Sequence, residues 1–228
     1  MISIVIPVYQ TPVEFIAECA ESIRHQTFQD YEVVLVNDGS DYEVSGFLRS
    51  LAKKNWRLYE RPRGGISKAL NFGIQNAKHE LICRMDADDV MLPDRLRKQF
   101  DYFQVHQVDV LGGQMELFGC MSEVTSHPLD IPRDIMRDSD WFMNHPTVMF
   151  KKSSIVSIGG YNSEFDGTED FELWCRALSK NLTLRNLPDV LVRHRRHHGN
   201  ASDRTSVEAI NGKNNQVRNY YLRLICNS

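Results

Sequence analysis

The sequence predicts an α/β protein with a mostly parallel central sheet and helices on both faces of that sheet. Apolar runs rich in β-branched residues alternate with amphipathic helical segments through the first half of the 228 residues. Helix-start signals separate each apolar run from the helical segment after it, as in consecutive β-α-β units. Ligands bind such sheets at the carboxyl ends of the strands, so a functional site is expected there.

The first half of the chain contains the clearest strands and helices. Residues 2–8 and 33–36 are apolar, β-branched runs and are predicted to be buried strands. Residues 11–14 and 40–43 each have the spacing of a capping box, the first with Pro12 at the first helical position, so each predicts a helix start. The remaining predicted elements are a strand near 57–60, a helix over 66–77 and a strand over 81–85.

The second half of the chain has a less regular hydrophobic pattern. Pro93 falls in the first turn of a helix predicted over 92–105, and residues 169–180 have clear helical periodicity. The tail from Ala201 is polar and then weakly amphipathic. Because the sequence contains no repeat and no linker, we expect one domain. The strands predicted in this half are 108–118, 147–150, 183–187 and 190–193.

Composition and charge narrow the classes of function. A net charge of -3 argues against a nucleic-acid-binding protein, which normally carries an excess of basic residues. The five cysteines are dispersed and form no C-x-x-C pair, which favours reduced thiols over a disulfide framework. The sequence has no signal-peptide pattern and no apolar run of membrane length. We therefore expect a cytoplasmic protein, with peripheral attachment to the inner face of the cell membrane as the open alternative.

A cluster of carboxylates follows the strand predicted over 81–85. Asp86, Asp88 and Asp89 lie within four residues and would repel one another without a cation. Carboxylate oxygens suit Mg²⁺ or Mn²⁺, whereas the alternative is a solvated turn that caps the next helix. Since the sequence has neither a G-x-G-x-x-G after the first strand nor a P-loop, a bound diphosphate would have to be neutralised in another way.

Several motifs occur in order along the chain. They are Val5-Ile6-Pro7-Val8-Tyr9, Val36-Asn37-Asp38-Gly39-Ser40, Gly65-Ile66-Ser67-Lys68-Ala69-Leu70-Asn71, Arg84-Met85-Asp86-Ala87-Asp88-Asp89, His145-Pro146-Thr147 and Glu169-Asp170-Phe171-Glu172-Leu173-Trp174. Each motif alone is weak, but their ordered succession is specific. With these motifs the chain resembles the family 2 glycosyltransferases with the GT-A fold, particularly those that build bacterial surface polysaccharides.

The resemblance implies a domain plan. It predicts a GT-A domain over residues 1–202, with a nucleotide-sugar half at 1–110 and an acceptor half at 111–202 that includes a smaller sheet. Residues 203–228 then form a C-terminal tail. The basic and aromatic residues of this tail suit either packing on the domain or contact with a membrane surface.

The resemblance also implies the residues that bind the donor, expected to be a UDP-sugar, and a divalent metal. The residues implied at the nucleotide are Pro7 and Tyr9 at the base and ribose, Asp38 at the uracil ring, Arg84 nearby, and Asp86 near the ribose. Asp88 and His197 are implied as ligands of Mn²⁺ or Mg²⁺. Many relatives carry an arginine where this chain has Leu70, so the phosphate contact is expected from Lys68 or Arg84 instead.

By the same resemblance, Asp170 is the general base that deprotonates the acceptor hydroxyl, with Glu169 beside it. From spacing alone, these two residues could be ordinary acidic residues at a helix start. A base opposite the leaving group implies a single displacement with inversion. The expected reaction moves a hexose or N-acetylhexosamine from a UDP-sugar to a saccharide or lipid-linked saccharide, in polysaccharide, lipopolysaccharide or lipid-linked oligosaccharide synthesis.

Several roles are open at this point. A non-catalytic nucleotide-sugar-binding module on the same fold is the alternative function, whereas nucleotidyl transfer would need a glycine-rich loop after the first strand. Residues 193–198 are rich in cations and could close over the diphosphate, with His194 and His198 as phosphate contacts, or form a solvated charged loop. Trp174 could stack on an acceptor sugar or belong to the core. The donor sugar and the oligomeric state are not fixed by the sequence.

Overall fold

The computed structural model describes residues 1–197 and 207–226. Within these residues, seven helices pack on a single mixed sheet of nine strands. The strands are β1 (Ile2–Val8), β2 (Tyr31–Asn37), β3 (Trp56–Glu60), β4 (Leu81–Arg84), β5 (Val90–Met91), β6 (Val110–Gly119), β7 (Glu123–Val124), β8 (Met149–Lys151) and β9 (Leu184–Arg196). The helices are α1 (Val13–Arg24), α2 (Tyr42–Leu51), α3 (Ile66–Asn76), α4 (Arg95–Val105), α5 (Lys152–Ser157), α6 (Glu169–Ser179) and α7 (Val207–Cys226).

The N-terminal half forms the parallel part of the sheet. Strands β3, β2, β1 and β4 lie side by side and run parallel to one another. Every residue of β1 and β2 is buried, which explains why both strands are nearly continuous apolar runs. Helices α1, α2 and α4 cover one face of the sheet, and α3 and α6 cover the other. The predicted α/β fold with helices on both faces is confirmed.

The C-terminal half extends the same sheet with strands of mixed direction. Strand β8 lies antiparallel between β4 and β6, β6 is parallel to β9, and β5 pairs antiparallel with β9. The two strands predicted over 183–187 and 190–193 are one strand, because β9 keeps pairing with β6 on both sides of Pro188. A shift in register absorbs the break that this proline suggests.

The first two helix starts differ from the predicted capping boxes. Pro12 is the N-cap residue of α1 and no side chain caps that helix, so the capping box predicted at 11–14 is wrong. At α2 the cap is Asp41 rather than Ser40, and its carboxylate accepts a hydrogen bond of 3.1 Å from the Val44 amide. The cap of α2 therefore sits one residue later than the sequence pattern suggests.

Arg95, in the first turn of α4, is a buried cation that joins this helix to the sheet. Its guanidinium donates hydrogen bonds to the carbonyls of Arg84 at 2.8 Å and Val148 at 3.3 Å, and to the Gln99 side chain at 3.2 Å. The helix starts here rather than at 92: Asp94 is its N-cap residue, and the Leu92 amide donates to the Leu191 carbonyl of β9. Arg95 thus fixes the end of β4, where the carboxylate cluster begins.

The C-terminal helix α7 packs against α6. Val217 and Tyr221 are buried in the core on that face, and the Tyr221 hydroxyl donates a 2.6 Å hydrogen bond to the Glu172 carboxylate. The Arg218 side chain also donates to the Met136 carbonyl at 2.8 Å. These contacts hold the described part of the tail on the body of the protein. No helix in residues 1–197 or 207–226 has the length and apolar character needed to cross a membrane.

Arg95→Met should destabilise the fold. The substitution keeps most of the side-chain volume but removes the donor to the buried Arg84 carbonyl and to the Gln99 side-chain oxygen, which costs about 1–3 kcal/mol for each unsatisfied group. We expect the free energy of unfolding in urea to fall by about 2–4 kcal/mol. Arg97→Met is the matched control, because its ion pair with Asp101 is exposed and worth less than about 1 kcal/mol. Equal losses in both variants would contradict the role of Arg95.

Candidate active site

Two clefts adjoin at the carboxyl edge of the parallel strands. The first has a volume of about 400 Å³ and the second about 590 Å³. The first cleft runs along the ends of β1 and β2, and the second runs toward the start of α6 and along β6. Residues 86–89, here called the acidic loop, contribute side chains to both clefts. The residues that line both are Ile66, Asp86, Asp88 and Gly167.

Asp38 lies in the first cleft with its carboxylate fixed by surrounding donors. The backbone amides of Gly64 and Gly65 donate to it at 3.0 and 2.8 Å, and the Arg61 guanidinium pairs with it at 2.8 Å. The side chain is 5% exposed, so these partners are what allows the charge to stay inside the protein. The Gly64 amide is shared between both carboxylate oxygens, at 3.0 and 3.1 Å, so a donor on a ligand would take the place that this shared bond occupies on one oxygen.

Pro7 and Tyr9 line the first cleft. These are the residues that the resemblance implies at the base and ribose of the nucleotide. The guanidinium of Arg63 lies 4.1 Å above the centroid of the Tyr9 ring and also lines this cleft. Sequence reasoning missed Arg61 and Arg63. The sequence feature that could have indicated them is a pair of arginines on either side of Pro62, directly after β3 and just before Gly64 and Gly65.

Lys68 is not brought into either cleft. Helix α3 buries Ser67, Ala69 and Leu70 against the sheet, and this helical phase leaves the Lys68 side chain exposed. It lines neither of the two clefts. The expectation that Lys68 contacts phosphate is therefore not supported by its position, and Leu70 is a core residue.

The three aspartates of the acidic loop have different surroundings. Asp89 is fully buried, and its two oxygens are used by the Arg195 amide at 2.9 Å and the His194 Nδ1 at 3.0 Å. Burial raises the pKa of Asp89 to about 6 although the hydrogen bond from His194 opposes this shift. Asp86 forms an ion pair with Arg84 at 2.5 Å. Through its two hydrogen bonds, Asp89 therefore anchors the acidic loop to the end of β9.

Asp88 and His197 suit a divalent cation at the first cleft. Both side chains line that cleft, and the His197 Nε2 lies 3.2 Å from a carboxylate oxygen of Asp88. Neighbouring ligands of an octahedral metal ion are about 3 Å apart when each bond is about 2.1 Å, so the two atoms fit one coordination sphere. Asp86, Asp89 and His194 also have ligand atoms within 4.8 Å of one another, but Asp89 is fully buried and both of its oxygens are already used, by His194 and the Arg195 amide.

Asp170 and Glu169 open α6 inside the second cleft. Burial raises the pKa of Asp170, although the Phe171 amide donates a 2.8 Å hydrogen bond to its carboxylate and opposes the shift. Burial, with the charge of Asp170 next to it, also raises the pKa of Glu169 to about 7. Glu169 accepts a 2.6 Å hydrogen bond from the Gly167 amide. The helix start thus contains two carboxyl groups that are more basic than in water.

Arg84 supplies positive charge to the second cleft. Its side chain is 6% exposed, and burial lowers its pKa, but Asp86, Tyr161 and Asp89 together more than offset this, so the pKa is raised. Its buried Nε has no hydrogen-bond partner among the described residues. A buried guanidinium with an unused donor at a cleft fits an anionic ligand better than a purely structural role.

His145 and Trp174 have structural surroundings. The His145 ring is bonded to the Tyr161 hydroxyl at 2.8 Å, and burial lowers the pKa of this histidine well below its usual range. Trp174 is 2% exposed and packs in the core of the α6 face, so it cannot stack on a sugar. A different aromatic residue, Trp141, lines the second cleft and is 53% exposed. It lies in a segment with no regular hydrophobic period, which is why the sequence did not point to it.

The described residues of the cationic segment 193–198 form a docked strand end rather than a solvated loop. Arg193 pairs with Glu116 at 3.0 Å. The Arg195 guanidinium pairs with Glu18, lies 4.2 Å over the Phe15 ring, and donates from its Nε to the backbone of the acidic loop at 3.0 Å. His198, one of the two candidate phosphate contacts in this segment, lies outside the described residues.

Known glycosyltransferases match this chain over most of its length. The model for "Glycosyl transferase family 2" matches residues 3–161. The O-antigen biosynthesis glycosyltransferase WbnJ of Escherichia coli is 32% identical over 207 residues, which cover 86% of this chain and 80% of WbnJ. A UDP-Gal:alpha-D-GlcNAc-diphosphoundecaprenol beta-1,3-galactosyltransferase of Escherichia coli is 30% identical over 193 residues, which cover 78% of this chain and 67% of that protein.

A solved structure shows the same fold. S. aureus TarS 1-349 in complex with UDP-GlcNAc matches with a TM-score of 0.77 at 19% identity, covering 98% of this chain and 72% of that chain. The likeness identifies the GT-A fold. The family match includes Asp38 and the acidic loop, whereas Asp170 and His197 lie beyond it. Because the matched relatives are transferases, the alternative of a non-catalytic binding module is set aside. The chain belongs to glycosyl transferase family 2 and is a glycosyltransferase.

Proposed function

We propose that this chain is an inverting, metal-dependent glycosyltransferase that moves a hexose or an N-acetylhexosamine from a UDP-sugar to a hydroxyl of a saccharide or lipid-linked saccharide. The reaction belongs to polysaccharide, lipopolysaccharide or lipid-linked oligosaccharide synthesis. The observation that carries the proposal is the shared wall of the two clefts. The acidic loop stands between a cleft suited to a nucleotide and a cleft that contains a partly buried carboxylate base. The activities in the names of the bacterial relatives favour the same acceptor class.

In this proposal the first cleft binds the UDP part of the donor. Asp38 accepts a hydrogen bond from the uracil ring, while Pro7 and Tyr9 line the base and ribose. The amides that fix Asp38 keep its carboxylate in one orientation before the donor binds, which reduces the entropy lost on binding. Asp88 and His197 would hold Mn²⁺ or Mg²⁺, which when bound neutralises diphosphate charge as a Lewis acid.

Arg84 and Asp86 act where the two clefts meet. Asp86 lies on the ribose side, and Arg84, held by Asp86, turns its positive charge toward the departing diphosphate. The position of the Arg84 guanidinium on the wall of the second cleft supports this assignment, because guanidinium groups pair strongly with phosphate oxygens. Arg84 then takes the phosphate role, because Lys68 lines neither cleft.

In the transfer step, Asp170 takes the proton of the acceptor hydroxyl. The acceptor oxygen forms a bond to the anomeric carbon while the bond from that carbon to the diphosphate oxygen breaks on the opposite side. Its electron pair leaves with UDP, and the configuration of the anomeric carbon is inverted. Asp170 rather than Glu169 is the base, because Asp170 is the more exposed of the two in the cleft. Glu169 is buried, binds the Gly167 amide and, with its pKa raised to about 7, is partly protonated at neutral pH.

Asp170→Asn should remove transfer and preserve donor binding. Asparagine has nearly the same size and can still accept the Phe171 hydrogen bond, but it cannot take a proton. We expect kcat to fall by about 10²–10⁴-fold, while the Kd for UDP with Mn²⁺ stays within about twofold. UDP release and calorimetry measure the two quantities. Glu164→Gln, an exposed acid nearby, is the control and should leave both unchanged. An Asp170→Asn enzyme that kept more than about a tenth of its turnover would exclude this residue as the base.

Asp88→Ala should weaken metal-dependent binding of UDP. We expect the Kd for UDP in Mn²⁺ to rise at least about tenfold, toward the value that wild type has in EDTA, because the loss of one charged ligand weakens the metal site by at least about 1.4 kcal/mol. Calorimetric titration of both proteins with and without EDTA measures this. Asp101→Ala removes an exposed aspartate remote from the clefts and should bind as wild type does. Equal affinity of Asp88→Ala and wild type in Mn²⁺ would rule out Asp88 as a ligand.

Glu169→Gln should stabilise the protein at alkaline pH. Because the pKa of Glu169 is raised to about 7 in the folded state, the folded protein binds more protons than the unfolded chain between its ordinary pKa and pH 7. Wild-type stability is therefore lost as pH rises through that window. We expect the variant to exceed wild type by up to about 3 kcal/mol at pH 8 and by little at pH 5.

Urea unfolding at the two pH values measures this difference. Glu164→Gln carries the same change at an exposed site and should show no such dependence on pH. Parallel pH profiles for wild type and Glu169→Gln would mean that the pKa of Glu169 is not raised in the folded protein. Its pKa would then no longer favour Asp170 over Glu169 as the base.

A further inference from the structure

Trp141 is an exposed aromatic residue on the wall of the second cleft. The chain has three tryptophans, and the other two, Trp56 and Trp174, are only 8% and 2% exposed. Trp141 is 53% exposed and lies in the same cleft as Asp170. Large apolar side chains left in contact with water beside a concave site are typical of ligand-binding surfaces.

The position of Trp141 is fixed by a buried hydrogen-bond network. The His127 ring packs edge-on against the indole, with 4.9 Å between the ring centroids. His127 Nε2 binds the Asn144 side-chain oxygen at 3.0 Å, and the Asn144 amide donates to the Gly113 carbonyl and the Thr125 hydroxyl, each at 2.9 Å. Burial lowers the pKa of His127, although the hydrogen bond with Asn144 opposes this shift, and this favours the neutral form of the ring. A network of this kind orients the indole before a ligand arrives.

The second cleft has both polar and apolar lining residues. Arg84, Glu169 and Asp170 are among the polar ones, and Glu123 and His194 lie beside Leu117 on the paired strands. The apolar lining residues are Met115, Leu117, Met121 and Trp141. A mixed lining of this kind matches a pyranose ring, because its C–H face is apolar while its hydroxyls form a polar rim. Trp141 does not line the first cleft, so this match concerns the acceptor and not the nucleotide.

We propose that Trp141 is the platform for the acceptor: its indole face packs against the pyranose ring of the acceptor saccharide and directs the reacting hydroxyl toward Asp170. This assignment rests on the proposed transferase function and names the binding determinant of its second substrate. The acceptor is recognised as a hexopyranoside whose less substituted face lies on the indole. The neighbouring methionine and leucine side chains extend the contact toward the group linked to that sugar.

The test uses the emission of Trp141 and the kinetics of its variants, with methyl and octyl hexopyranosides and N-acetylhexosaminides as acceptor probes. In the presence of UDP and Mn²⁺, the glycosides should change the tryptophan emission of wild type saturably. Trp141→Phe should lose that signal, since the two remaining tryptophans are buried. No saturable change with any glycoside overturns the proposal. A response to phospholipid vesicles in place of glycosides also overturns it and assigns the residue to a membrane contact.

Kinetics separate this proposal from the proposed function. Trp141→Ala should raise the acceptor KM at least about tenfold, or about 1.4 kcal/mol, and leave the Kd for UDP unchanged. Trp141→Phe should restore most of the loss because it keeps an aromatic face. Tyr220→Ala, which removes an aromatic ring that is 60% exposed on α7 and lines neither cleft, should behave as wild type. An unchanged acceptor KM in Trp141→Ala overturns the platform alone, whereas wild type without UDP binding or transfer overturns the proposed function.

Discussion

The buried carboxylate of Asp89 connects the two parts of the chain that form the site. An unpaired carboxylate in the interior would cost several kcal/mol, and here its partners come from β9, 105 and 106 residues away in sequence. The same strand end brings His197 to 3.2 Å from Asp88. The acidic loop and the end of β9 therefore depend on each other, because His194 and the Arg195 amide are the partners that allow the Asp89 carboxylate to be buried.

Chemically identical side chains acquire different tasks in this loop through their surroundings. Asp89 points inward and serves the fold, whereas Asp86 is paired with the buried Arg84 and Asp88 faces the first cleft. The buried Arg95 holds the carbonyl of residue 84 from the other side of the sheet. The acidic loop is thus fixed at both ends, and the carboxylate of Asp88 lines the first cleft, where it can bind a ligand. A turn stabilised only by solvent would not separate the three charges in this way.

The sequence predicts those features that depend on local pattern. The buried strands β1 and β2, the α6 helix and the acidic loop follow from apolar runs and residue order. The rotational phase of a helix is harder to predict from sequence than the existence of the helix. In α3, Lys68 faces water while its neighbours Ser67 and Ala69 are buried. Contacts between distant segments are beyond local pattern altogether. For that reason, the contact of Arg63 with the Tyr9 ring and the position of Trp141 in the second cleft are visible only in the folded chain.

The basicity of Asp170 is set by how α6 is held rather than by residue type. At a helix start the dipole favours the charged form and lowers basicity, whereas burial disfavours it, and the raised pKa shows that burial prevails. That burial requires α6 to stay against the sheet. Glu172, on the same helix, is 1% exposed and is bound by Arg176 at 2.8 Å and by Tyr221 at 2.6 Å. Through Tyr221, α7 therefore helps to maintain the surroundings of a carboxylate it does not contact.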